Sequence, residues 1–282
     1  MTRRFPLALL AAGLVACVTA AAGTAATDGL PSARQRGELV VGVPYLAPAP
    51  VAGAKIRTPD GLDIAMAEKL AQDLGMPFSL RQVAPADAAR LLAAGEVDVV
   101  LADRSQPAAT PLPAGVAALP TGYAARPKAV IRSDTAMRQP SDARGRSVCM
   151  AEAAVGAQAL AQGWGAVVRT YRVPSDALVA VREGSCDIGL VDDAVWEPLM
   201  RFPEWKKFSA TLAADGARHE RVWLLPAADA AAQAWLGERM REWSRAGAWK
   251  ALPAKWARDV AFDVYLDPVS YTHLTLPTNR EV

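Results

Sequence analysis

Hydrophobic and polar positions along this chain alternate between strand and helix periods, the pattern of an α/β protein. An apolar run over 38–43 predicts a first strand, and helical spacing of apolar residues predicts a helix that begins at Asp60 and ends at Gly75. Further strands are predicted over 77–82, 97–102, 128–132, 147–150, 166–171, 186–191 and 221–225, and further helices over 86–94, 155–162, 194–201 and 228–246.

One unit of helix, glycine and strand occurs twice in the chain, 89 residues apart. The matched pairs are Pro85 and Pro174, Asp87 and Asp176, Ala88 and Ala177, Gly95 and Gly184, Asp98 and Asp187, and Asp103 and Asp192. Each copy predicts a helix opened by Pro and Asp, closed by Gly, and followed by a strand that ends on an aspartate. Open α/β sheets bind ligands at the carboxyl ends of strands, so Asp103 and Asp192 are expected to face one cleft. Convergence on a common helix–strand joint is the alternative to duplication.

Proline-rich stretches divide the predicted elements into two lobes. An irregular loop is expected over 44–59, and the prolines over 106–127 predict the connection that leaves the first lobe. The first lobe then comprises 37–121 and 222–267, and the second comprises 122–221, so that the chain crosses twice. Four tryptophans near the C-terminal end predict packing of the last helices against the first lobe: Trp235, Trp243, Trp249 and Trp256.

Composition supports this organisation and limits the classes of partner that are expected. The chain has 282 residues, of which 52% are hydrophobic and 21% charged, enough for two lobes with their own cores. The formal net charge is +2, and no run of Lys or Arg is longer than two. Nucleic acids and anionic membrane surfaces are therefore not expected as partners.

The N-terminal residues 1–26 have the features of an export signal. Arg3 and Arg4 precede an apolar stretch over 5–18 and small residues before Thr27. A transmembrane anchor is the alternative, which the short apolar stretch disfavours. The residues 14–17 also resemble a lipobox that would place a lipid on Cys17. The sequence thus predicts a periplasmic protein, and leaves open whether Cys17 is removed with the signal or anchors the chain.

Cysteine usage fits an oxidising compartment. Once Cys17 is removed or lipidated, Cys149 and Cys186 form an even pair on predicted strands of the second lobe. We predict a disulfide between them; two buried thiols that never meet are the alternative.

The last residues, 268–282, break from the alanine-rich composition of the rest and show neither helical nor strand period. We interpret them as a non-native tail and exclude them from the fold.

Six stretches of the sequence, taken in their order and spacing along the chain, resemble the family 3 periplasmic solute-binding proteins of ABC transporters. They are RGELVVGVPY at 36–45, DGLDIAMAEKLAQDLG at 60–75, LLAAGEVDVVLAD at 91–103, SDARGRSVCMAE at 141–152, REGSCDIGLVDD at 182–193 and GAWKALPAKW at 247–256. The resemblance implies an α/β fold of two lobes, the type II or Venus flytrap fold, each with a central sheet flanked by helices and joined by two hinge crossovers. The placement of Cys149 and Cys186 is also similar to that of members with a second-lobe disulfide.

The resemblance carries some ligand-binding positions over and loses others. It implies that Asp192 holds the amino group of an amino-acid ligand and that the Ser105 hydroxyl donates to a ligand oxygen. The arginine that grips the ligand carboxylate would fall at Thr110, and the family's glycine is here Asp103. The stacking aromatic aligns with Leu62, and the anion-binding loop aligns with 153–155.

Three neighbouring residues are candidates to complete such a site. Arg104 could bind a carboxylate with two parallel hydrogen bonds; its alternative is a solvated pair with Asp103. Tyr45 could supply a wall and a hydroxyl, or simply pack. Asp63 is expected to serve the positive end of its helix.

These residues predict a monomeric carrier that closes on a small polar, amino-acid-like or cationic solute and docks on an inner-membrane ABC permease. The alternatives are an accessory periplasmic protein with a degenerate cleft and a dehydratase-like enzyme on the same scaffold. A catalytic role is disfavoured because His219 is the one histidine before the tail, and no metal-ligand spacing, nucleophile elbow or phosphate loop is present. No cofactor is expected.

Overall fold

The computed structural model describes residues 29–46, 61–106, 111–208, 212–214 and 216–266. The helices are α1 Pro31–Arg36, α2 Leu62–Leu74, α3 Ala88–Ala93, α4 Val155–Gly163, α5 Pro174–Glu183, α6 Asp193–Leu199, α7 Ala230–Arg245 and α8 Ala248–Leu266. The strands are β1 Leu39–Val43, β2 Phe78–Gln82, β3 Val99–Gln106, β4 Val116–Ala125, β5 Pro127–Val130, β6 Ser147–Ala151, β7 Val167–Tyr171, β8 Ile188–Asp192 and β9 Arg218–Pro226. The export signal with Cys17, most of the proline-rich loop and the tail lie outside the described residues.

The first lobe is built on a five-stranded sheet in the order β2-β1-β3-β9-β4. Strand β1 is parallel to β2 and β3, whereas β9 runs antiparallel to both β3 and β4. Alternate residues of β3 enter different cores: Val99 and Leu101 join the cluster that includes α2 and α7, and Val100 joins the cluster beneath α3. Burial on both faces explains why β1 and the first half of β3 are continuously apolar.

The second lobe has a four-stranded sheet in the order β5-β8-β6-β7. Strand β6 is parallel to β7 and β8, and β5 closes the sheet antiparallel to β8. The predicted α/β architecture of two sheets flanked by helices is therefore confirmed.

The two copies of the sequence repeat have matching contacts as well as matching elements. Helices α3 and α5 are followed by Gly95 and Gly184 in the left-handed conformation, and then by β3 and β8. The buried carboxylate of Asp98 accepts a hydrogen bond from the Val40 amide at 2.8 Å, and Asp187 accepts one from the Ser147 amide at 2.9 Å. Each aspartate thus binds the neighbouring strand at the same place in its sheet.

The stretch 106–127, predicted as an irregular connection, instead contains the ten-residue edge strand β4. Pro120 is tolerated because β4 has a neighbour on one side only, and the pairing with β9 is irregular between Pro120 and Ala124. Strands β4 and β9 remain paired to Ala125 and His219. The first sheet therefore includes 122–125 and 218–221, which the predicted boundaries assign to the second lobe.

The C-terminal helices contact both lobes. Trp235, Trp243 and Trp249 pack with the first core, as expected. Trp256 does not: together with Ala257 and Val260 it lies in a core formed by α5 and α6 of the second lobe. The expectation for Trp256 was wrong because α8 leaves the first sheet after Leu252 and contacts α6. The chain thus passes between the lobes in α8 as well as in the two strand connections.

A disulfide joins Cys149 of β6 to Cys186, with Cα atoms 6.2 Å apart. Both residues are buried in the second-lobe core. The pairing predicted from cysteine usage is present in the structure.

Candidate functional site

Asp192 lies where the second sheet meets the connection from the first. It is the last residue of β8 and the N-cap of α6, but its side chain does not cap the helix. Instead, the Tyr123 hydroxyl donates a 2.8 Å hydrogen bond to Oδ2, and Nε2 of His219 lies 3.0 Å from Oδ1. Both partners come from the first sheet, on β4 and β9. The carboxylate of Asp192 is therefore held between the lobes.

Asp103 lies on the first-lobe side of the same group of residues. It pairs across the sheet with Arg221, whose guanidinium lies 2.9 Å from Oδ1, and Nδ1 of His219 is 3.3 Å from the same oxygen. The expectation that Asp103 ends its strand was wrong, because pairing with β9 continues β3 to Gln106. The two repeat aspartates nevertheless meet at one residue, His219.

His219 connects the carboxylates of Asp103 and Asp192. Each ring nitrogen faces a carboxylate, so both must donate and the ring is an imidazolium. Burial by itself lowers the pKa of His219, but the hydrogen bonds to Asp103 and Asp192 and the charges of both outweigh burial and raise it to about 10. The ring is therefore a positive charge shared by the two lobes at neutral pH.

Arg221 is a second buried cation, two residues further along β9. Its Nε lies 3.0 Å from Asp63 Oδ1 in an ion pair that lacks the alignment of a hydrogen bond. Burial lowers the pKa of Arg221, but the charges of Asp103, Asp63 and Asp192 raise it further above its ordinary value. Asp63 is in the first turn of α2 as expected, yet its carboxylate also contacts this arginine.

The acidic groups of this site have pKa values that are shifted in different directions. Burial raises the pKa of Asp63, an effect that Arg221 reduces and that Asp103 and Asp192 reinforce. Burial also raises the pKa of Asp103, but the charge of Arg221 and the hydrogen bond and charge of His219 outweigh it and lower the pKa below its ordinary value. Burial, followed by the charge and hydrogen bond of Asp192, raises the pKa of Tyr123 well above its usual value. Tyr123 therefore remains a hydrogen-bond donor at neutral pH.

The irregular part of β4 fixes the direction of Tyr123. The Thr121 hydroxyl donates to the Arg221 carbonyl at 2.8 Å and accepts from the Tyr123 amide at 3.0 Å. Gly122 between them has φ of +95°, and an added Cβ would lie 2.6 Å from Nε1 of Trp249. The strand irregularity thus turns the tyrosine towards Asp192.

We call these six residues the inter-lobe network: Asp63, Asp103, Tyr123, Asp192, His219 and Arg221. Three carboxyl groups face two cations, and burial raises the pKa of one of the three, Asp63. Within the described part of the chain, no group of His, Cys, Asp and Glu side chains is arranged to hold a metal ion. Each member of the network contacts another member by charge or by a hydrogen bond.

The other predicted ligand residues occupy different places. Leu62 begins α2 and packs against the cores of both lobes, as a residue between them must. Ser105 is two residues beyond Asp103 on β3 and pairs with His219, so it shares that face of the sheet. Arg104 pairs with Glu220, and strand alternation directs it to the opposite face. Tyr45 follows β1 and is half-buried. The ligand roles of Tyr45, Leu62, Arg104 and Ser105 stay predictions, and Thr110 lies outside the described residues.

Sequence reasoning missed three members of the network. His219, Arg221 and Tyr123 act through partners that are distant in sequence: His219 is 116 residues from Asp103, and Tyr123 is 69 from Asp192. The available signal was the alternation of His219, Arg221 and Trp223 along β9, which places all three on one face of the strand. The predicted strand began only at Arg221 and hid this pattern.

Fold and site together define a two-lobed solute-binding protein. The chain belongs to family 3 of the bacterial extracellular solute-binding proteins, whose model matches residues 39–259. A comparison with curated proteins finds no match.

The solved structures with the same fold include several amino-acid-binding proteins. A mutant of ArgBP from T. maritima is 18% identical, with a TM-score of 0.55, over 80% of this chain and 98% of that one. The ancestral amino-acid-binding protein AncCDT-1, described as a precursor of cyclohexadienyl dehydratase, is 20% identical with a TM-score of 0.56, over 80% of this chain and 98% of that one. AbpA from Streptococcus pneumoniae, an amino-acid ABC transporter substrate-binding protein bound to L-arginine, is 13% identical with a TM-score of 0.58, over 82% of this chain and 98% of that one.

Among the described residues, no helix has the length and apolar character needed to cross a membrane. This family is extracellular, in keeping with the export signal predicted for residues 1–26.

Proposed function

We propose that this protein captures a small cationic, amino-acid-like solute between its lobes and delivers it, as a monomer, to an ABC permease of the inner membrane. The observation that carries the proposal is the convergence of Asp103 and Asp192, from two different lobes, on one positive charge. A ligand that contacts both lobes stabilises their closed arrangement, because those contacts exist together only when the lobes meet. An importer with this family's fold would use that closed form to engage its permease.

The sign of the charge supports a cation. Asp63, Asp103 and Asp192 outnumber His219 and Arg221, and both of these cations already contact carboxylates. An anionic group that entered the network would add a negative charge beside Asp103 and Asp192 in a buried place, which is costly. The amino-acid-binding neighbours support the size class of the solute.

The same contacts favour binding over catalysis. His219 has a pKa raised to about 10 by Asp103 and Asp192 after their effect overcomes burial, so at neutral pH it holds its proton instead of accepting one. A general base works best with a pKa near the working pH. The proposal is therefore a carrier in which no bond of the solute changes.

Calorimetry with a matched panel tests the proposal. L-arginine, L-lysine and putrescine are expected to bind, whereas L-glutamate, succinate and glucose are not. Asp192→Asn should abolish cation binding; Asp259→Asn, which alters an exposed carboxylate paired with Lys255, should bind as the wild type does. Heat from uncharged or purely anionic compounds alone would show that the ligand class is wrong. Binding of nothing in a broad library would favour an accessory protein with a degenerate cleft.

A further inference from the structure

His219 is the one member of the inter-lobe network that bonds to both lobes through a single ring. Its two nitrogens lie 3.3 Å from Asp103 and 3.0 Å from Asp192. These are the two carboxylates proposed above to hold a cationic solute. A solute cation and the imidazolium would therefore compete for the same oxygens.

We propose that His219 is a specificity-determining residue, an internal cation that a solute must displace from between Asp103 and Asp192 in order to bind. The inference rests on the proposed function and adds a mechanism to it. When the ring leaves, its proton passes to solvent, and the positive charge of the solute replaces that of the imidazolium. The exchange leaves the net charge of the network unchanged, which neither a neutral nor an anionic solute could do.

Of the charged and titratable groups around it, a displaced His219 is the one whose ordinary pKa, 6.5, lies in the neutral range. The charged and titratable residues that face it are Asp103 on β3, Tyr123 on β4, Arg221 on β9, Asp192 at the end of β8, and Asp63 behind Arg221 on α2. The pKa values of Tyr123, Arg221 and Asp63 lie above their ordinary values, and that of Asp103 lies below its own. A ring that swings out to solvent returns towards its ordinary pKa of 6.5.

The exchange makes cation binding depend on pH in a defined direction. Between the pKa of the displaced ring, 6.5, and that of the bound ring, about 10, binding releases about one proton. Affinity then rises as the pH rises, approaching tenfold per pH unit. Between pH 6.5 and 8.5 the expected increase is about fiftyfold, because the displaced ring is still half protonated at the lower pH.

Calorimetry in buffers of different ionisation enthalpy measures the released proton directly. The probes are L-arginine and agmatine, which share a guanidinium group and differ in the carboxylate. Wild-type protein at pH 8 is expected to release about one proton on binding. His219→Gln is expected to release none, to bind more tightly at pH 6.5, and to have an affinity independent of pH once the titration of the probe is subtracted.

Tyr123→Phe is the matched control. It removes the other hydrogen bond to Asp192 but leaves the imidazolium, so release of one proton should persist even if the affinity changes. Binding by the wild type without proton release, or weaker binding by His219→Gln at every pH, would overturn the inference while leaving the proposed function intact.

The protonation of the ring can also be followed without any solute. NMR titration of His219 in the wild type, with His219→Gln to assign the signal, is expected to show that the ring keeps its proton above pH 9. A midpoint near the ordinary value would overturn the inference even if no probe binds. Binding of the probes to neither protein would contradict the proposed function, and the titration would still decide whether His219 holds the two carboxylates.

Discussion

At the scale of single residues, the buried Arg221 should contribute more to stability than any exposed ion pair does. Its guanidinium lies within 3.0 Å of both Asp63 and Asp103 on a largely buried face. A buried charge that loses its partner cannot be compensated by water. The arginine thus favours the ionised form of both carboxyl groups beside the core.

Replacement of Arg221 should therefore be severe. We expect Arg221→Met to lower the free energy of unfolding at pH 7 by about 3–5 kcal/mol, as measured by urea denaturation. Arg241→Met removes an exposed arginine paired with Glu238 and should cost no more than about 1 kcal/mol.

The pH dependence gives an internal check on the Arg221 prediction. Arg221 lowers the pKa of Asp103, so the stability from this pair is present above the unfolded pKa and is lost as the carboxyl gains a proton. The difference between wild type and Arg221→Met should narrow as the pH falls below about 4. A difference that does not change with pH would mean that lost packing explains the effect.

At the residue scale, the sequence predicted members of the network only where the pattern that marks them is local. Asp103 and Asp192 were found because a local repeat places them at matching positions. Their partners were not found, because the contacts of Tyr123, His219 and Arg221 join strands that are distant in sequence: His219 is 116 residues from Asp103, and Tyr123 is 69 residues from Asp192. Local periodicity does not specify such pairing.

At the scale of elements, the sequence predicted most strands and helices, and β4 shows why some failed. Prolines in a run normally indicate a loop, since proline cannot donate to a neighbouring strand. An edge strand with an irregular register tolerates one, and β4 is such a strand. The prolines would have excluded a central strand, but they do not exclude an edge strand such as β4.

The irregularity in β4 makes a prediction about Gly122. Gly122→Ala would require a positive φ and place a Cβ 2.6 Å from Trp249 Nε1 and 3.0 Å from Ser244 Oγ. Gly145→Ala is matched in backbone, with φ of +71°, but meets nothing within 4 Å. We expect Gly122→Ala to destabilise the protein by about 1–3 kcal/mol more than Gly145→Ala does, since overpacking adds to the shared backbone cost. Equal losses in thermal unfolding would show that Trp249 moves aside freely.

At the scale of the whole molecule, composition and structure agree on an oxidising compartment. The export signal is predicted from residues outside the described part, whereas the disulfide between Cys149 and Cys186 is present in the structure. Disulfides persist in secreted proteins and are rare in the reducing cytosol.

The disulfide should matter for stability. A bridge over 37 residues is expected to contribute about 3–4 kcal/mol in the chain-entropy model. Cys149→Ala combined with Cys186→Ala should lower the free energy of unfolding by that amount, as should reduction of the wild type, which leaves the side-chain volume intact. Thiol titration of denatured protein purified from the periplasm should find neither cysteine reactive; two reactive thiols would contradict the prediction.

Lobe organisation was predictable from order and spacing, but the path of the C-terminal helix was not. Trp256 lies seven residues after Trp249 in the same helix and yet joins the other core. Periodicity indicates which face of a helix is apolar and not which neighbour covers it.

The position of the inter-lobe network relative to the strand connections has a mechanical consequence. Ala125 and His219 pair at the end of the first sheet, and Asp192 pairs with Pro127, two residues further along the chain. The bond between His219 and Asp192 thus lies close to the axis about which the lobes would turn, where the lever arm is short. Small rotations barely stretch such a bond, whereas the outer rims of the lobes separate widely. In the absence of a solute, the contact should therefore tolerate thermal breathing and break only when the lobes open fully.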